Sequence, residues 1–99
     1  MKTLTILIGN SDDKLTQAEW SKFVDCVRGV VFGASFATHF DGGTYPNSPY
    51  QTACWVVRVT DGSGKHLRAQ LAELARCFQQ DSVAVIEGDT EFVKAAGST

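Results

Sequence analysis

Two segments of this 99-residue chain repeat their apolar residues with the period of a helix, and four others are strand-like, most of them alternating with a period of two. The order of these six segments constrains the fold more than anything else in the sequence. The first strand-like run is Thr3 to Ile8, where Leu4, Ile6 and Ile8 alternate with Thr3, Thr5 and Leu7. A helical segment follows, with Trp20, Phe23, Val24, Val27 and Val31 on one side and Ser21, Lys22, Asp25 and Arg28 turned away. Its start is marked by Thr16 and Glu19, three apart as a capping box requires, and by Leu15 and Trp20 at the spacing of a hydrophobic staple. Phe32 and Gly33 can end it.

The segment "ASFATHF" reads as a second strand, with Phe36, Thr38 and Phe40 on one face and Ser35, Ala37 and His39 on the other. A Gly-, Pro- and Ser-rich segment from Asp41 to Gln51 is too long for a tight hairpin turn. "TACWVVRVT" is nearly continuously apolar at its centre, as an interior strand would be. "DGSGK" then breaks the pattern, and Leu67, Leu71, Leu74, Ala75 and Phe78 mark a second helix up to about Gln79. "SVAVIE" is the fourth strand, "GDTEFV" a candidate hairpin extension around Gly88 and Asp89, and residues 95–99 a frayed tail after a single domain of residues 1–94.

The resulting order, β-α-β-β-α-β, resembles the split βαβ arrangement of ferredoxin-like folds. The resemblance implies an α+β domain with a four-stranded antiparallel sheet and two helices on one face. It implies no function, because the fold hosts many unrelated activities. "GNSDDKLTQAEW" and "QDSVAVIEGDTEFV" also resemble uncharacterised small proteins encoded by bacteriophages; that likeness implies an accessory or host-interaction role and assigns no residue. "ILIGN" is similar to the first-strand motif of RNA-recognition modules, yet Leu7 stands where a stacking aromatic belongs, and the third strand lacks the other motif's basic and aromatic pattern.

Charge sharpens that last point. Nine basic and 11 acidic residues leave a net charge of −2, and the basic residues do not cluster, which argues against a nucleic-acid partner. No apolar run approaches the ~20 residues of a membrane span, and the first residues lack a secretory leader's apolar region, so a cytoplasmic protein is expected. Cys26, Cys54 and Cys77 form neither a disulfide framework nor a zinc pattern and are expected to pack as small apolar side chains.

If the first strand runs upward, three polar loops converge at the top edge of the sheet: residues 9–16, 41–51 and 79–82. The expected ligand-binding residues are therefore Asn10, Asp12, Asp13, His39, Asp41, Tyr45, Tyr50, Gln51, Gln80 and Asp81. Asp12, Asp13, Asp41 and Asp81 lack calcium-loop spacing, so no metal is expected, and no cofactor is implied. His39 is the one candidate general base. On the sheet face away from the helices, Leu7, Val56 and Ile86 with Thr5, Ala37 and Arg58 make an apolar surface, and a homodimer pairing two such faces is expected. The expected function is a small non-enzymatic binding or interaction protein, holding a small ligand or partner protein at the top edge. The alternative is a small dimeric α+β barrel enzyme using His39 with Tyr45 or Tyr50, and an RNA-recognition-like module comes third.

Overall fold

The computed structural model describes residues 2–10, 13–34, 37–44, 51–60, 63–89, 91 and 93–97, except for the side chains of residues 37–39 and 63. Its elements run β1 (Lys2–Gly9), α1 (Gln17–Ala34), β2 (Ala37–Gly43), β3 (Thr52–Val59), α2 (Ser63–Cys77) and β4 (Ala84–Asp89). The four strands form one antiparallel sheet in the order β2-β3-β1-β4. This is the ferredoxin-like arrangement expected from the sequence.

Alternation divides the sheet into two faces. Leu4, Ile6 and Ile8 of β1 and Ala53, Trp55, Val57 and Val59 of β3 are buried under the helices. There they meet Trp20, Phe23, Val27 and Val31 from α1 and Leu67 and Leu71 from α2 in one core cluster. Phe23 links the helices directly, since its ring lies 4.9 Å from that of Phe78 just past α2. Burying side chains of this size contributes about 1.5–3 kcal/mol each, so this layer supplies most of the driving force for folding.

Both helix ends close by identifiable chemistry. The Thr16 hydroxyl accepts from the Glu19 amide at 3.2 Å, while a Glu19 carboxylate oxygen accepts from the Thr16 amide at 3.0 Å. Leu15 and Trp20 are both buried beside this box, which completes the staple. At the far end of α2 the Gln80 amide donates to the Ala75 carbonyl at 2.8 Å and the Gln79 amide to the Arg76 carbonyl at 3.2 Å. That pair of bonds is a Schellman motif, and Gln79 occupies its left-handed position at φ 57°.

Several boundaries differ from the sequence reading. α1 continues through Phe32 and Gly33 to Ala34, and α2 begins at Ser63, so "DGSGK" contributes its first turn. β2 runs on through Asp41, Gly42 and Gly43, which shortens the connection to β3. A Cβ at Gly43 would collide with the Thr52 carbonyl oxygen on β3, so the strand can pair there only with glycine. β4 also extends, pairing Gly88 with Thr3 and Asp89 with Lys2. No turn forms at Gly88 and Asp89, and among the described residues no fifth strand follows. The cysteines are free, but Cys26 and Cys54 are half-buried and Cys77 is exposed, so none is the fully buried apolar residue expected.

The correction with most consequence concerns Phe40. Thr38 pairs with Val57 but Phe40 pairs with Val56, so the β2–β3 register shifts by one between them and His39 is the extra residue of a β-bulge. The bulge breaks the alternation of β2. Phe40 therefore does not face the helices; it lies on the other face, 52% exposed, with its ring over Gly42. Thr5 pairs with Val56 and Ile86, Leu7 with Cys54 and Ala84, and Thr3 and Ala37 with Arg58, which sets all of these on the same free face as Phe40.

Candidate functional site

The chain leaves β1 through Asn10, whose side chain determines the path of the following loop. Asn10 Oδ1 accepts from the Leu15 amide at 3.0 Å and its Nδ2 donates to the Leu15 carbonyl at 2.9 Å. The same Nδ2 donates to Gln51 Oε1, and the Asn10 amide donates to the Gln51 carbonyl at 3.2 Å. Gln51 Nε2 in turn donates to Gln17 Oε1 at 2.8 Å. The first loop, the segment entering β3 and the start of α1 are thus tied together by one amide network. A further link comes from Lys14, whose ammonium lies 3.6 Å from the Asp81 carboxylate in the loop entering β4.

A groove of about 460 Å³ lies among these loops, lined by Leu7, Gly9, Asn10, Asp13, Gln51 and Ser82 together with Ile8, Thr52 and Ala84. Leu7, Gly9, Thr52 and Ala84 hold free-face register positions, so the groove opens onto the free face. Asp13 stands exposed on its rim in a left-handed conformation, φ 53°.

The residues expected to form one site are distributed over more than one place. Asn10, Asp13 and Gln51 line the top-edge groove. Asp41 lies on the helix side of β2, where its carboxylate accepts from Arg28 Nε at 3.1 Å; Arg28 also holds Asp25, pinning α1 to the edge strand. It lines a separate groove of about 500 Å³ with Gln17, Ser21 and Thr44. Gln80, 6% exposed, and Asp81 line a third, of about 660 Å³, between α2 and β4. Asp12, Tyr45 and Tyr50 lie outside the described residues, as does the side chain of His39. Sequence reasoning placed Gly9 in the first of the three loops but missed Leu7, Thr52 and Ala84; their register positions, read with the strand pairing, were the signal that could have found them.

The shifted titrating groups sit away from the groove. The Thr16 amide and hydroxyl hold the Glu19 carboxyl below the usual range, Arg76 does the same for Glu73, and Lys2 for Asp89; Glu73 in turn raises Arg76. All four are exposed surface partners, which marks them as structural pairs. Among the described residues no three His, Cys, Asp or Glu side chains come together as a metal site would need, and no helix is long and apolar enough to cross a membrane.

Fold and groove together define a ferredoxin-like α+β domain with a shallow polar-rimmed groove at one end of the sheet's helix-free face. Among solved structures the chain is similar to the crystal structure of At3g17210 from Arabidopsis thaliana, with a TM-score of 0.60 and 16% identity over 94% of this chain and 99% of that one. At this identity the likeness establishes the fold alone. No family model matches the chain, and no curated protein matches it, so the resemblance to phage-encoded proteins gains no support.

Proposed function

We propose that this protein is a small non-enzymatic binding protein that works as a homodimer, its two sheets paired face to face and a small ligand or partner held at the top edge. The observation that carries this reading is the free face itself. Phe40 and Ile86 are 52% and 58% exposed, Leu7, Val56 and Cys54 lie between them, and Arg58 is the one charged residue among the face positions described. With strands ~4.8 Å apart and ~3.3 Å per residue, the face measures roughly 19 by 23 Å. That is close to the ~500 Å² per partner at which specific interfaces begin, and exposed apolar side chains grouped on one face often mark a recognition surface.

A binding role fits better than catalysis because the groove's polar groups are largely committed to one another. Asn10 and Gln51 spend their amides on Leu15, Gln17 and each other, which makes a rigid rim and, among the described residues, no proton-transfer pair. The test is a fragment screen read by amide chemical shifts of the isotope-labelled protein. Hits are expected to perturb Gly9, Asn10, Asp13, Gln51 and Ser82. Hits clustering instead around Thr60, Glu87 and Asp89, at the opposite end of the sheet, would refute the assignment.

A further inference from the structure

The top-edge groove has the volume of a ligand site but not its enclosure. Small-molecule sites commonly occupy ~300–1,000 Å³ and bury most of the ligand's surface. At about 460 Å³ the groove is large enough, yet it is open, and the free-face register positions of Leu7, Gly9, Thr52 and Ala84 put its open side on that face. That open side is continuous with the apolar face. Leu7 belongs both to the groove and to the row Leu7–Cys54 at the centre of the sheet, and Ala84 belongs both to the groove and to the edge strand that carries Ile86.

We propose that the groove is a ligand site completed by a second copy of the chain, whose sheet closes its open side, and that it takes a small ligand with an apolar body and a cationic head. This rests on the face-to-face pairing proposed above. Small residues make the depression: Gly9 contributes no side chain, and Ala84 and Thr52 flank it, leaving an apolar wall at Leu7. The rim sets the head group. Asn10 and Gln51 are already bonded to Leu15, Gln17 and each other, whereas the Asp13 carboxylate is exposed at the groove's edge and is its single charged lining group among the described residues. A carboxylate accepts hydrogen bonds and donates none, so it favours an ammonium or amidinium head over an anionic one. Closure by the second copy would bury the ligand's apolar body and lower the dielectric around this contact, which strengthens it.

The proposal is tested with two probes of equal length, hexylammonium and hexanoate, titrated against the full chain by chemical shift, with sedimentation run in parallel. For a ligand of this size a Kd on the order of 1 mM is expected. The dimer should bind one hexylammonium per chain and hexanoate at least tenfold more weakly. Asp13→Asn, which removes the charge at the rim, should weaken hexylammonium at least fivefold with the sedimenting mass unchanged. Dilution until the dimer dissociates should weaken binding at least tenfold, and Val56→Lys, which places a charge at the centre of the face, should do the same if it folds. A dimer that binds no hexylammonium, that binds both probes alike, or whose dissociated chain binds equally well overturns the completed site while leaving the pairing intact. A wild-type chain that sediments as a monomer overturns the pairing and this proposal with it.

Discussion

Replacing Asn10 with alanine should cost far more stability than its position in a surface loop suggests. Its side chain makes two bonds to Leu15, at 2.9 and 3.0 Å, and one to Gln51. Leu15 is buried, so truncation strands its amide and carbonyl where water reaches them poorly. A hydrogen bond nets about 1 kcal/mol, and an orphaned buried group costs about 1–3 kcal/mol. The two Leu15 bonds therefore account for about 2 kcal/mol, and the Gln51 bond, whose acceptor water can replace, adds at most about 0.5 kcal/mol. A total of about 2–3 kcal/mol corresponds to a fall in Tm of roughly 10–20 °C for a domain of this length. Urea unfolding followed by Trp fluorescence measures it, with Gln51→Ala as the control that removes the third bond and the exposed Gln51–Gln17 bond but leaves both Leu15 bonds in place. The reasoning is refuted if Asn10→Ala unfolds within about 0.5 kcal/mol of wild type, or if Gln51→Ala is as damaging.

Two further outcomes follow from the helix ends. Glu19→Gln keeps an acceptor for the Thr16 amide but removes the titration. Because the folded-state pKa of Glu19 is lowered, its ionised form adds stability above the unfolded value of 4.5, and this is lost as pH falls through the folded pKa. Denaturant midpoints should therefore favour wild type at pH 6–7 and converge with the variant near pH 3, whereas a gap that widens on acidification would contradict the cap. At the other end, Gln79→Gly relieves the left-handed strain at φ 57° and should raise stability by about 0.5–1 kcal/mol after the greater unfolded-state entropy of glycine is subtracted. A lower thermal midpoint would mean that the Gln79 side chain contributes more than its backbone costs.

The parts of the fold that were legible in the sequence are those where one residue's chemistry decides a local event. Thr16, Glu19, Leu15 and Trp20 announce the start of α1, and the structure forms every bond they imply. Leu4, Ile6 and Ile8 announce a buried strand face by alternation alone. The start of α2 was hidden because Ser63 and Gly64 read as loop residues, although Gly64 is buried in the helix's first turn. Phe40 was misplaced for a different reason. A bulge is invisible to periodicity, since it depends on whether β2 and β3 stay in step, and that is settled only by pairing.

The candidate site was legible to the extent that topology determines which loops meet. Asn10, Asp13 and Gln51 do meet, because β1 and β3 are antiparallel neighbours and their top ends are adjacent. Asp41 was assigned to the same cluster on the assumption that β2 had ended. It continues instead, and Asp41 turns to Arg28 on the helix side. The role of Asn10 as the pin of the loop could not be read from sequence, because a loop asparagine offers the same donors and acceptors to a ligand as to its own backbone.

Sedimentation equilibrium of the wild-type chain, carried to high protein concentration, tests the central claim most directly. Pairing through the free face predicts a mass of twice the 10.7 kDa of one chain, with dissociation on dilution. A single species that remains at 10.7 kDa throughout would show that the face carrying Phe40, Val56 and Ile86 is not covered by a second copy, and would contradict the account.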